Sequence, residues 1–268
     1  GAGCPARRAV GGGGAGVSEI LRTEALGKSF GKLAAVDGVD LRLMEGVLTA
    51  VIGPNGAGKT TLINLLSGAL PPDSGRVFFR GENITGLPSH QRVRRGLTRS
   101  FQVMNIFPRL TVRENLLLPV LARLGRTLRP FSAVAADADA LTEGERLLRD
   151  VGLWGERDRQ AGALPHGDQR RLELGLAVAT APALCLLDEP SSGMNPLERT
   201  GVLELIRKLS AERKTTFVIV EHDMDVVFSL AERIVVMNRG RILADGLPDA
   251  IRENREVRDT YLGEEGAG

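Results

Sequence analysis

The chain has 268 residues, 43% of them hydrophobic and 25% charged, the make-up of a folded globular protein built as one large unit rather than of a disordered or fibrous chain. Its 35 Lys and Arg against 33 Asp and Glu leave a formal charge of +2, and aromatics are only 4%, so neither the charge footprint of a nucleic-acid binder nor a stacking platform for single strands is present. No run of about 18 apolar residues is available for a membrane-spanning helix, and Cys4 and Cys185 alone cannot build a disulfide framework or metal cluster, which suits a reducing compartment.

The glycine-rich stretch Gly1 to Gly16 has no apolar core for secretion and reads as a flexible leader. From Ile20 the pattern is that of a folded chain, with short β-like runs such as Ala35 to Leu43. Val47 to Ile52 predicts an apolar strand, followed by Gly53-Pro54-Asn55-Gly56-Ala57-Gly58-Lys59-Thr60-Thr61 and then by Leu62, Ile63, Leu65 and Leu66 at helical spacing. A turn at Asp73 to Gly75 precedes a strand at Arg76 to Arg80. Leu110 to Arg123 predicts a helix, Gly125 to Ala140 a loose insertion, and Leu141 to Val151 and Gly167 to Thr180 two further helices. Ala183 to Leu187 reads as a buried strand, Leu197 to Ala211 as an amphipathic helix, Thr215 to Val220 as a strand and Asp223 to Ala231 as a helix. Arg233 to Met237 and Arg241 to Ala244 flank the turn Asn238-Arg239-Gly240. Strands alternating with helices predict a mostly parallel sheet that binds its ligand at the strands' carboxyl ends.

Gly53 to Thr60 matches G-x-x-x-x-G-K-[ST] in the strand-to-helix setting the motif requires. Glycines let successive backbone N–H groups turn toward a polyphosphate at a helix N-terminus, Lys59 reaches the β- and γ-phosphates, and the Thr60 hydroxyl can ligate Mg²⁺. Asp188 and Glu189 follow four apolar residues at a strand's carboxyl end, where buried charge needs a partner. Mg²⁺ through Thr60 and Asp188 supplies one, leaving Glu189 as general base on the attacking water. His222 stands at the end of Thr215 to Val220 and is assigned to the γ-phosphate and attacking water, and Gln102 lies where the core passes into the helical insertion.

In this order the elements resemble the nucleotide-binding subunit of an ATP-binding-cassette (ABC) transporter over Ile20 to Gly246. The resemblance implies an α/β fold: a P-loop NTPase core with a mostly parallel sheet, an N-terminal antiparallel β subdomain and an inserted α-helical subdomain. It divides the chain into a leader (1–18), the ATPase domain (19–246, helical subdomain about 103–165) and a short helical tail (247–268). It also implies that Phe30 stacks on adenine, that Gln102 couples the Mg²⁺ site to membrane subunits and ligates the metal, and that His222 is the switch histidine. Where the family reads Leu-Ser-Gly-Gly-Gln, this chain has Leu164-Pro165-His166-Gly167-Asp168, so Pro165 offers a nucleotide neither a hydroxyl nor an N–H. Gly167 and the helix start remain for anion binding. The adjoining Ser191 to Pro196 segment carries Asn195 where Asp is commoner.

The runs Gly167 to Leu174, Leu187 to Pro190, Gly193 to Pro196 and Val220 to Met224, with the tail Tyr261 to Glu264, are similar to the ATPase of branched-chain amino-acid uptake systems. Urea-uptake and lipopolysaccharide-export ATPases share much of this pattern. The resemblance implies ATP and Mg²⁺ as ligands, two membrane permeases, a second ATPase subunit of the same or a different kind, a substrate-binding protein engaged indirectly, and a peripheral place on the cytoplasmic face of the membrane. Two subunits closing head to tail would hold each ATP between one chain's Gly53 to Thr61 and the other's Leu164 to Asp168. The rival readings are a poorly hydrolysing ATP-dependent clamp, against which Glu189 and His222 argue, and a ribosome- or DNA-directed ATPase. A single loop motif and the lack of sustained heptads argue against the latter.

Overall fold

The computed structural model describes residues 18–100, 106–126 and 137–262. In chain order its strands are β1 (Glu19–Phe30), β2 (Leu33–Val39), β3 (Arg42–Met44), β4 (Thr49–Ile52), β5 (Ser74–Phe79), β6 (Glu82–Asn83), β7 (Leu97–Arg99), β8 (Leu184–Asp188), β9 (Thr216–Val220), β10 (Arg233–Asn238) and β11 (Arg241–Gly246). They form two sheets among the described residues. One is antiparallel, in the order β2-β1-β5-β6 with β3 also on β1. The other runs β11-β10-β4-β9-β8-β7 and is parallel except for the β10–β11 hairpin.

The parallel strands read as continuous apolar runs because both of their faces are covered. In β8, Leu184 and Leu186 face one core with Val51, Leu62 and Val218, while Cys185 and Leu187 face the other with Ile52, Phe217 and Ile219. Each Leu or Ile buried in this way stabilises the fold by about 1.5 to 3 kcal/mol. Burial pushes the Cys185 thiol up to about 12, so it packs as a small apolar group and is not a nucleophile.

The first core holds α1 (Lys59–Ser67), while α2 (Ser89–Arg94) lies beside β7. The second joins α3 (Val112–Arg123), α4 (Ala138–Asp150), α5 (His166–Ala179), α6 (Pro196–Ala211) and α7 (Met224–Leu230) through Leu116, Leu148, Leu172, Ile206 and Val227. Local chemistry starts these helices: Thr111 and Glu114 make a reciprocal capping box on α3, Asn195 and Glu198 make another on α6 with Pro196 in its first turn, and Asp223 caps α7. Asn195 thus meets the cap requirement that an Asp would meet.

Some sequence-based boundaries shift. The helix predicted from Leu141 starts at Ala138, because Asp137 accepts from the Ala140 N–H at 3.3 Å and the alanines within the supposed loose insertion favour helix. Phe101 and Gln102 lie outside the described residues. Helix α5 packs on α3 and α4. After β11 the short helix α8 (Pro248–Glu253) buries Ile251, and Val257 joins the same core.

Candidate functional site

Parallel alignment brings the carboxyl ends of β10, β4, β9, β8 and β7 to one edge of the sheet, in that order. The ends of β4 and β8 hold the Gly53 to Thr60 loop and the acid pair Asp188 and Glu189, with His222 after β9 between them. Beyond Ile52 the chain turns through Gly53, Gly56 and Gly58, with φ of 146°, 78° and 101°. A Cβ at Gly53 would collide with the carbonyl of Met237 and one at Gly58 with that of Ala35, whereas one at Gly56 would meet nothing within 4 Å. The outer glycines therefore seat the loop on β10 and β2, and the middle one leaves its backbone open.

Helix α1 begins at Lys59 with no side chain capping its N–H groups, the arrangement that favours a bound anion. Lys59 is 9% exposed, and its ammonium donates to the carbonyls of Gly53 at 2.6 Å and Pro54 at 3.0 Å. Burial pushes its pKa down, opposed by the charges of Glu189 and Asp188. This loop walls a cavity of about 550 Å³ with Phe30, Leu33, Ala34, Ala35, Glu189 and Arg239, Asn55 to Thr61 contributing the loop side. Phe30, 52% exposed, pairs with Leu33 across the turn between β1 and β2 and presents an apolar wall. The sequence-assigned Asn55, Gly56, Ala57, Gly58, Lys59, Thr60, Thr61, Phe30 and Glu189 are thus brought together, with Gly53 and Pro54 forming the loop's start.

At the end of β8, Asp188 is 4% exposed. Its Oδ2 accepts from Arg99 at 2.8 Å, and Arg99 also bridges to Asn64 on α1. Its Oδ1 is buried without a hydrogen-bond partner. No group of three His, Cys, Asp or Glu among the described residues can cage a metal. One orphaned carboxylate oxygen and the exposed Thr60 hydroxyl nevertheless suit Mg²⁺, which keeps waters and completes its shell with substrate phosphates. Glu189 holds a left-handed backbone, φ 48°, unusual for a residue with a side chain. Its N–H donates to Val220 at 2.9 Å, its carbonyl accepts from Ser192 at 3.1 Å, and its carboxylate lines the cavity.

His222 follows β9, exposed and outside the lining of that cavity. The acid before it, Glu221, is fully buried, a feature sequence reading missed. Its Oε1 accepts from the Ser191 N–H at 3.1 Å and hydroxyl at 2.8 Å, and its Oε2 has no hydrogen-bond partner. Burial pushes its pKa up, countered by Ser191 and by the charge of His222. A raised carboxyl pKa favours the protonated fold, so this group's contribution is full below the ordinary carboxylate range and is lost as pH rises through the folded value. Glu221→Gln is therefore expected to raise thermal stability relative to the natural chain at pH 8, with the gap narrowing toward pH 5; melting curves showing a gap independent of pH would refute it. The available signal was an acid directly after an apolar strand, the same pattern that revealed Asp188.

Pro165 is the N-cap of α5, and His166 beside it is exposed. Asp168 lies 3.7 Å from Arg171. Gly167 is buried, and a Cβ there would come within 2.8 Å of Glu198 Cγ, so its lack of a side chain serves the α5–α6 contact in this chain as well as any anion site. None of Pro165, His166, Gly167 and Asp168 lines the cavity. Gln102 lies outside the described residues.

Residues 36–192 match the family described as ABC transporter, and residues 241–267 match the family described as branched-chain amino acid ATP-binding cassette transporter. Over 250 residues the chain is 41% identical to the high-affinity branched-chain amino acid transport ATP-binding protein BraF of Pseudomonas aeruginosa, spanning 91% of this chain and 98% of that protein. It is 40% identical over 250 residues, with the same coverage, to the corresponding LivG of Escherichia coli. Among solved structures it resembles the ADP conformation of MJ1267, an ATP-binding cassette of an ABC transporter, with a TM-score of 0.78 at 31% identity over 92% of this chain and 99% of that one.

Proposed function

The chain belongs to the ABC transporter family as an ATP-hydrolysing subunit, and from that premise we propose that the transporter it drives imports branched-chain amino acids. The observation that carries the substrate class is the match of residues 241–267 to the branched-chain family, beyond the part of the chain common to ABC ATPases. The names of BraF and LivG support the same reading.

ATP lies in the cavity with adenine on Phe30 and its phosphates on the loop from Gly53 to Thr61. Lys59 leaves the loop carbonyls for the β- and γ-phosphates, exchanging neutral acceptors for anionic ones. Thr60 and Asp188, with Gln102, would hold Mg²⁺, which when bound would neutralise phosphate charge. Glu189 takes a proton from water as its oxygen bonds to the γ-phosphorus and the bond to ADP breaks, and His222 steadies the γ-phosphate. The γ-phosphate is covered by Pro165, His166, Gly167 and Asp168 of a second ATPase subunit, since these residues stand apart from the cavity within one chain. Two permeases receive the movement through Gln102 and the helix α3 (Val112–Arg123), a substrate-binding protein delivers the amino acid to them, and this chain sits at the cytoplasmic face. No described helix is long and apolar enough to cross a membrane.

Cells carrying Lys59→Ala at the chromosomal locus are expected to lose uptake of labelled leucine, isoleucine and valine while the protein is still made. Unchanged uptake of all three, with loss of urea uptake or lipopolysaccharide export, would move the assignment to those related systems.

A further inference from the structure

We propose that Arg239 binds the α-phosphate of the nucleotide, a role outside the loop, acid pair and switch already described. It rests on the reading that the cavity takes ATP. Arg239 is at the carboxyl end of β10, the strand beside β4, so its turn is the direct neighbour of the phosphate loop. The next residue fixes it there. Gly240 N–H donates to the Ala57 carbonyl at 2.9 Å, its own carbonyl accepts from Asp37 N–H at 2.9 Å, and a Cβ at Gly240 would stand 3.0 and 3.1 Å from the carbonyls of Ala35 and Ala34. The turn is thus wedged at the joint between the phosphate loop and β2, whose first residue Leu33 pairs with Phe30. A nucleotide stretched from an adenine on Phe30 to phosphates at Lys59 carries its α-phosphate past that joint.

The backbone and the charge point the same way. Arg80, Arg213 and Arg239 all hold left-handed backbone, with φ of 49°, 55° and 48°. Arg80 pairs with Glu45 at 3.5 Å and Arg213 with Glu232 at 2.8 Å. Arg239 has no ion pair among the described residues, and it alone of the three lines the cavity. The other left-handed residue with a side chain on that wall is Glu189. Asn238 pairs with Arg241, so Arg239 and Gly240 form a two-residue hairpin turn that needs positive φ at both positions, and the turn fixes where the Arg239 side chain leaves the strand. With Lys59 largely buried on the loop, Arg239 is the exposed cation facing a ligand that carries several negative charges.

Calorimetric titration of the full chain with ATP, ADP, AMP and adenosine tests the assignment. Arg239→Ala is expected to raise the Kd of ATP, ADP and AMP alike by about 5- to 30-fold, the scale of a charged hydrogen bond partly screened by water, and to leave adenosine unchanged. Arg239→Lys should recover part of the loss, and the three nucleotides should become less sensitive to salt in the alanine variant. Unchanged affinities overturn the proposal, as does a loss confined to ATP or one shared by adenosine. Lys59→Ala separates this from the cavity reading: it should weaken ATP far more than AMP. If Lys59→Ala behaves so while Arg239→Ala binds like the natural chain, only the Arg239 assignment fails. If neither variant changes ATP binding, the cavity reading itself fails.

Discussion

Replacing Glu189 by Gln is expected to lower kcat for ATP hydrolysis by about two to four powers of ten while leaving ATP affinity nearly intact, the scale of losing a positioned general base. Glutamine keeps the size and hydrogen-bonding reach of the side chain but cannot accept the proton of the attacking water. The backbone that aims it is unaffected, because the left-handed φ of 48° and the bonds from Glu189 N–H to Val220 and from Ser192 N–H to Glu189 involve no side-chain charge. Lys59, on which the charge of Glu189 acts, loses only one of two neighbouring anions, since Asp188 remains. In the proposed head-to-tail dimer the nucleotide stays enclosed until it is hydrolysed, so the variant should accumulate as ATP-bound dimers. Single-turnover kinetics and gel filtration with Mg-ATP check both halves. An unchanged rate with monomer alone would remove Glu189 from the chemistry and leave its strained backbone without a function.

Arg92→Ala is expected to cost about 3 to 5 kcal/mol of stability, because it strands several buried carbonyls at once. Arg92 is 1% exposed, and no carboxylate pairs with it among the described residues. Its guanidinium instead donates to the carbonyls of Leu65 at 2.8 Å, Leu66 at 2.7 Å, Leu87 at 2.9 Å and Thr85 at 2.9 Å. Leu65 and Leu66 belong to the last turn of α1, where the dipole favours a cation and the Leu65 carbonyl otherwise accepts only a long bond, 3.3 Å, from the Gly68 N–H. Burial pushes the Arg92 pKa down to about 10, so the group stays charged at neutral pH despite its surroundings. The expected fall in Tm is about 10 °C for a chain of this size. Arg92→Lys should fall between, since an ammonium has three donors and cannot span four acceptors. As α1 carries the phosphate loop at its other end, saturating nucleotide should restore part of the lost Tm. A melting temperature equal to that of the natural chain would mean that water satisfies these carbonyls equally well.

The two substitutions also separate what is local from what is not. The phosphate loop was legible in the sequence because its chemistry is contained in one segment: glycines at fixed spacing, a lysine and a threonine at a helix start form an anion nest wherever a strand feeds them. Asp188 was legible for a similar reason, as an acid ending an apolar run announces buried charge that needs a partner. The alternation of strands and helices likewise fixed the α/β class. What alternation does not encode is lateral order. Strand β4 lies between β9 and β10, its neighbours in space and not in sequence. Only that order places the turn at Arg239 beside the phosphate loop and sets Glu221 under Ser191, 30 residues away along the chain.

The same reason hid the buried cations. Arg99 meets Asp188 across 89 residues of sequence, and Arg92 meets Leu65 across 27. Neither arginine differs in its flanking sequence from a solvent-exposed one, since their partners are brought by packing. Gly167 shows the opposite case, a residue whose place in a motif was read from the sequence but whose packing against Glu198 appeared only when α5 and α6 were seen side by side. Local pattern determined the class of fold and the phosphate chemistry; tertiary packing decided which charges are buried, what satisfies them and which side chains share the cavity wall, because those depend on strand order and helix contacts that no single segment carries.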